Sequence, residues 1–238
     1  MYFKIMGVVA NPLGWVLTQL YSLIQNYGIT LIVFTLLVRF ALYPLYAKQI
    51  KSTANMATIQ PKMKELQAKY ANDKETLNMK MMELYKEEKF NPMGGCLPML
   101  IQMPIIFALF ALLRNPLMYM KDPAMILAVH EAFLWISDLS QPDKWVLPIA
   151  AGLTTYISFS QTQAQQGGSE QMGQMAPMMK VMKYFFPVMI VWMGRTFPAG
   201  LTIYWFFGTG VQILFNIRLN KMRRRLKAEA ELKKQKKI

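Results

Sequence analysis

The sequence predicts an all-α polytopic membrane protein. Five transmembrane helices would surround a hydrophilic groove, with a cytoplasmic helical hairpin and an N-terminal amphipathic surface helix. Three observations lead there. Of 238 residues, 54% are hydrophobic and gathered in long runs, yet the net charge is +14. Lys and Arg cluster in alternate connecting segments. One of the apolar runs carries a single arginine, Arg39, near its middle.

The elements follow in order. Residues 1–27 form an external segment in which Asn11-Pro12 suits a helix start, Asn as cap and Pro in the first turn. Leu13, Val16, Leu17, Leu20 and Leu23 then share one face and Thr18, Ser22 and Gln25 another, as in a helix lying on a membrane surface. The first span is 28–47, a run of 20 residues and long enough for a hydrocarbon core of about 30 Å. The others are 92–113, 145–162, 178–194 and 199–216. Gly94, Gly95, Pro98 and Pro104 in the second are better tolerated in membrane helices than in soluble ones. The last two spans are joined by the short external turn 195–198. Trp145 stands where an interfacial belt belongs.

Between the first and second spans, 48–91 reads as a helical hairpin. Met56, Ile59, Met63, Leu66 and Tyr70 repeat at helical spacing, and Leu77, Met81 and Leu84 resume it after Asn72-Asp73, with Asp73 as N-cap. The connection 114–144 is an external loop and 163–177 a cytoplasmic one. The tail 217–238 holds ten basic residues between Arg218 and Lys237, and the segment 48–91 holds nine lysines. The positive-inside rule therefore sets both in the cytoplasm and the N-terminus outside. The tail's charge suits topology, anionic lipid and ribosomal RNA alike. Met79, Met81 and Met82, then Met172, Met175, Met178, Met179 and Met182, form two methionine clusters suited to gap-filling or to adaptable apolar contact.

Arg39 carries the chemistry. A mid-membrane guanidinium costs at least about 2.5–3.5 kcal/mol on insertion scales and cannot deprotonate. None of the five expected spans contains Asp or Glu. Its partner is therefore neutral, aqueous or external to the chain. Neutral candidates form stripes: Thr202, Trp205, Thr209, Gln212 and Asn216 in the fifth span, and Thr154, Ser158, Gln161 and Gln165 in the third. Asn91, Gly95 and Gln102 share a face of the second, and Thr35 and Tyr43 flank Arg39 in the first. Four polar stripes and one charge predict a wet internal groove, with interhelical hydrogen bonding as the alternative. No catalytic constellation is legible and no enzyme activity is expected. One cysteine, Cys96, and one histidine, His130, give neither a disulfide nor a metal centre, so no metal and no cofactor are expected. Nucleic-acid binding, the other usual reading of a basic chain, fits poorly with runs this apolar, and DNA is not an expected partner.

Four blocks carry a family resemblance: NYGITLIVFTLLVRFALYPLYAKQ, NPMGGCLPMLIQMPIIFALF, FLWISDLSQPDKWVLPIAAG and FPAGLTIYWFFG. In order and spacing they resemble the YidC/Oxa/Alb family of membrane protein insertases over nearly the whole chain. The resemblance implies five helices around a groove open to cytoplasm and lipid and closed outside, in a bacterial cytoplasmic membrane. It places Thr35, Arg39, Gln102, Met103, Tyr204 and Trp205 in that groove. Thr209, Gln212, Thr154, Ser158 and Gln161 join them from the stripes. The large periplasmic domain of Gram-negative relatives is absent, which resembles the shorter Gram-positive type. No lipoprotein signal is read, and Cys96, inside the second expected span, is no lipidation site. The implied activity is insertion of client proteins, with Arg39 attracting acidic client segments. Implied partners are nascent membrane-protein clients and lipids, with ribosome, Sec-type translocon and signal recognition machinery as further ones. A small-anion transporter or channel, and a membrane scaffold or assembly chaperone, are the alternatives.

Overall fold

A computed structural model describes residues 2–54, 56–88, 97–120, 122–165 and 176–235. Ten helices run through them: α1 (Tyr2–Ile24), α2 (Tyr27–Ala54), α3 (Met56–Lys69), α4 (Lys74–Glu87), α5 (Leu97–Arg114), α6 (Pro116–Met120), α7 (Ala124–Ala128), α8 (Val146–Gln165), α9 (Ala176–Gly194) and α10 (Ala199–Gln235). Among the described residues there is no strand, only an isolated bridge between Phe133 and Ile136. Among the described residues two stretches are long and apolar enough to cross a membrane, Tyr27–Ala47 of α2 and Ala199–Arg218 of α10, and Gln102–Arg114 of α5 is a shorter apolar helix. On α8 and α9, Ile149, Leu153 and Ile157, then Val181, Phe185, Val188 and Trp192, form exposed apolar stripes. Such a face lies away from the bundle and suits lipid.

Three elements depart from the sequence reading. Asn11-Pro12 does not open α1, because the helix begins at Tyr2 and carries Pro12 inside it. One face of α1 is buried in the main core through Ala10 and Leu17, whereas Leu23, assigned to that face, is exposed. The 3.6-residue repeat locates a stripe but not its edge, and the bundle covers only the part it reaches. The first apolar stretch ends at Ala47, as expected, but its helix does not, since α2 continues to Ala54. The last apolar stretch runs Ala199–Arg218, close to the expected bound, while its helix α10 continues into the basic tail as far as Gln235. Neither extension, 48–54 or 217–235, contains Pro or Gly, and Lys and Arg are good helix formers.

The hairpin closes as its spacing predicts. Ile59, Met63 and Leu84 are buried with Leu66, Met81 and Tyr85 around them. Asp73 Oδ1 accepts from Thr76 N at 3.0 Å, capping α4, and its two bonds from Thr76 lower its pKa against a smaller opposing effect of desolvation. Met79 and Met82 stay exposed. Met172 and Met175, together with Asn91, Gly94, Gly95 and Cys96, lie outside the described residues.

α10 is the central helix, packed between α2 and α8; α8 backs onto α9, and α1 packs on α2, α5 and α6. The main core joins the N-terminal halves of α2 and α10 to the C-terminal half of α5 and the 116–139 loop, with Tyr27, Leu31, Phe34, Leu109, Leu112 and Ile203 fully buried. We call this the cap half. Its lid is the loop 131–143, which ties down three helix N-termini. Glu131 accepts the Tyr27 N–H at 2.7 Å and the Tyr21 hydroxyl. Leu139 and Gln141 carbonyls accept from Gly200 N at 3.1 Å and Ala199 N at 2.9 Å. Asp143 Oδ2 accepts from Leu147 N at 2.6 Å. Each satisfies amide donors that a helix start leaves unpaired, and the two carboxylates also suit the positive dipole end. The loop sits close because residue 28 is glycine: a β-carbon there would stand 2.2 Å from the Phe133 ring.

Candidate functional site

The other half of the bundle, the tail half, holds the polar residues. α2 buries Thr35 and Arg39 against α10, and Arg39 is only 6% exposed. Its Nη1 donates to Tyr46 Oη, two turns along the same helix, at 3.3 Å. Its Nε is buried with no partner. The guanidinium fits because α10 has a glycine opposite: a β-carbon at Gly208 would lie 2.6 Å from Nη2 and 2.9 Å from Nε. Among the described residues the ion pairs are Lys62–Glu88, Lys80–Glu83 and His130–Asp138, so no carboxylate neutralises Arg39. A buried cation held by one long bond to a phenol is underserved for a group with five N–H donors.

The stripes do meet around it, but largely by bonding to one another. Gln102 Nε2 donates to Tyr204 Oη at 2.9 Å, joining α5 to α10. Thr154 and Thr209 hydroxyls bond at 2.8 Å, and Trp205 Nε1 donates to Thr155 Oγ1 at 2.9 Å, both joining α8 to α10. Asn216 Nδ2 reaches Thr162 Oγ1 at 3.4 Å, and Gln212 Nε2 reaches Asn216 Oδ1 at 3.1 Å. Thr35 turns its hydroxyl onto the Leu31 carbonyl at 2.6 Å. Interhelical and local hydrogen bonding thus describes these side chains better than open stripes do, since a hydroxyl or amide in apolar surroundings finds the nearest partner. Ser158 is buried; Gln161 and Met103 are half-buried. Some capacity is unused: the Oε1 atoms of Gln102, Gln161 and Gln212 are buried acceptors without a partner.

Tyr46, Gly208 and Thr155 were not singled out by the sequence. Tyr46 lies seven residues from Arg39, on the same face. Gly208 ends the FPAGLTIYWFFG block. Thr155 is adjacent to a stripe but one position off it, and only the α8–α10 approach shows that it serves Trp205.

Outside the bundle His130 collects Asp138 and Ser140, a grouping hidden in the sequence. Both bond the same ring atom, Nδ1, at 3.1 and 2.9 Å. A proton relay from serine to carboxylate needs the two on opposite nitrogens, so this is a loop brace. No group of three or more His, Cys, Asp or Glu that could hold a metal occurs among the described residues.

Residues 19–227 match the family model of the 60Kd inner membrane protein. The chain belongs to that family. Its relatives carry the name membrane protein insertase YidC. The one from Fusobacterium nucleatum is 37% identical over 211 residues, covering 88% of this chain and 94% of the relative. The one from Shewanella frigidimarina is 41% identical, over 86% of this chain and 35% of the relative. The one from Francisella philomiragia is 37% identical, over 89% and 36%. The chain therefore spans nearly all of one relative and about a third of the other two. Within this 60Kd inner membrane protein family member, the matched segment includes both the cap half and the tail half.

Proposed function

We propose that the protein is a membrane protein insertase that passes short polar segments of client proteins across the inner membrane without nucleotide hydrolysis. The observation that carries the reading is Arg39: a buried cation with no carboxylate partner, one phenolic contact and an unused Nε. A permanent acidic partner would quench the site. A transient one, brought by the client, would find it ready.

In this reading α2, α5, α8, α9 and α10 are five spans, the N-terminus is outside, and the hairpin and basic tail are cytoplasmic. The tail half is the groove, lined by Thr35, Arg39, Gln102, Met103, Thr154, Ser158, Gln161, Tyr204, Trp205, Thr209 and Gln212, and it opens when a client enters. A client carboxylate displaces Tyr46 from Arg39, because a charge-assisted hydrogen bond is about twice as strong as a neutral one. The client's remaining polar groups trade with the Gln102–Tyr204 and Thr154–Thr209 pairs and with the unpaired glutamine acceptors, so its backbone is never left bare in hydrocarbon. Its apolar helix then leaves between spans into lipid. The basic hairpin and tail would meet the ribosome and signal recognition machinery, and a Sec-type translocon would hand over larger clients.

Reconstituted vesicles scored by protease protection of a client loop test this. Arg39→Ala should lower insertion of clients with acidic translocated segments about ten-fold, one decade per roughly 1.4 kcal/mol of lost attraction, while Arg39→Lys retains more. Equal insertion by wild type and Arg39→Ala across such clients sinks the proposal.

A further inference from the structure

A cavity lies at the opposite end of the bundle from Arg39. It has a volume of about 470 Å³ and opens at the rim of the cap half, where α5 ends and the α9–α10 turn begins. That volume is within the range of small-ligand sites, roughly 300–1,000 Å³. Its rim carries Arg114, His130, Ser140 and Thr196, and its floor is Phe110 and Phe197, whose rings pack with centroids 5.0 Å apart. Arg114 ends α5 with its guanidinium 5.3 Å over the Phe110 ring. No carboxylate lines the cavity, and no carboxylate pairs with Arg114 among the described residues. His130 uses Nδ1 for Asp138 and Ser140, so its ring is held at the rim by the 131–143 loop.

We propose that this cavity holds the phosphate of an anionic phospholipid headgroup. Three features select that chemistry. The stacked guanidinium is fixed by its ring contact, with its donor edge available for the bidentate geometry that phosphate oxygens accept. The aromatic floor offers apolar surface to the glycerol and first acyl carbons, which a free inorganic anion would not use. In the five-span reading proposed above, on which this point rests, the ends of α5 and α9 and the start of α10 bring the cavity to the level of the headgroups. Beside it Arg195 sits 3.9 Å over the Trp145 ring, an aromatic–cation pair of the kind found at a membrane–water interface. The site shares no residue with the surroundings of Arg39. A lipid there would seat the 131–143 loop, since Ser140 belongs to both and His130 bonds to it.

The test uses the full-length protein in detergent, supplied separately with phosphatidylglycerol, phosphatidylcholine and inorganic phosphate, with retained lipid read by native mass spectrometry. Wild type should retain phosphatidylglycerol over phosphatidylcholine. Arg114→Gln should lower that retention about ten-fold, the loss of one charge-assisted contact, and Arg114→Lys by less. Arg195→Gln, a neighbouring cation outside the cavity, should change it little. Arg114 is exposed, so unaltered thermal unfolding of Arg114→Gln checks that the fold is intact. Unchanged phosphatidylglycerol retention in Arg114→Gln overturns the proposal. So does binding of inorganic phosphate, or of an acidic peptide, without retention of phosphatidylglycerol.

Discussion

The same two helices, α2 and α10, are sealed at one end and jointed at the other. In the cap half they meet through Leu31, Phe34, Leu201 and Ile203, and a loop fastens both of their N-termini. In the tail half the apolar contact shrinks to Val211 and Phe215 with Leu36, Tyr43 and Ala47 around them, and between the two regions lies a guanidinium against a glycine. Apolar packing is lost steeply when surfaces part, whereas hydrogen bonds can be exchanged for others at little net cost. In the proposed function, opening would therefore belong to the tail half, with the cap half as the fixed end. An insertase reading needs this asymmetry, because a groove open at both ends would leak.

The comparison can be broken first by truncation. Leu112 is fully buried in the cap half. Leu112→Ala should lower stability by about 2–5 kcal/mol, the range for a leucine cavity. Val211→Ala in the tail half removes two carbons at about 0.8 kcal/mol each. Thermal unfolding in detergent ranks them, and a larger loss at Val211 would reverse the assignment of rigid and mobile ends. Gly208→Ala comes next. Its new methyl would press on Arg39, so an overpacking cost of about 1–3 kcal/mol is expected. Acidic clients should insert more slowly, while clients without acidic segments are unaffected. An equal defect for both would tie Gly208 to folding instead of to the arginine.

Glu131→Gln probes the cap. Replacing a carboxylate that accepts two hydrogen bonds should lower stability by about 1–3 kcal/mol. The alkaline limb reports the same contact. Donation to Glu131, helped by burial and by the carboxylate's charge, pushes the Tyr21 hydroxyl up to about 12. A raised folded-state pKa means the contribution is complete below the usual tyrosine value near 10 and lost as pH rises through about 12. Tyrosinate absorbance should show one of the late-titrating tyrosines of wild type moving earlier in Glu131→Gln. A titration that ignores residue 131 would remove Glu131 from the cap.

Much of this division was legible before any coordinates. Arg39 stands out because one charge interrupts an apolar run, and Asp73 because a cap has a local signature. The hairpin seam follows from spacing alone. The cap was not legible. Glu131 and Tyr27 are 104 residues apart, and nothing local marks a loop glutamate as the cap of a distant helix. Stripe positions were readable, but whether a stripe faces water or another stripe depends on how closely two helices approach. Thr154 and Thr209 illustrate that limit: each lies on a polar stripe, and only their 2.8 Å separation says they satisfy each other.

That pair supplies the smallest effect and the finest test. If the tail half is jointed, its cross-links must be weak enough to exchange with a client. A double-mutant cycle on Thr154→Val and Thr209→Val should give a coupling of about 0.6 kcal/mol, the average for hydrogen bonds between membrane helices. Each threonine also bonds a carbonyl of its own helix, Thr154 to Ala151 and Thr209 to Trp205, so neither hydroxyl is stranded when its partner is removed. That fallback is what keeps the coupling small. A coupling above about 1.7 kcal/mol, the upper end of such measurements, would mean that α8 and α10 are locked together. The tail half would then be as fixed as the cap, and a client would have to enter between α2 and α5 instead.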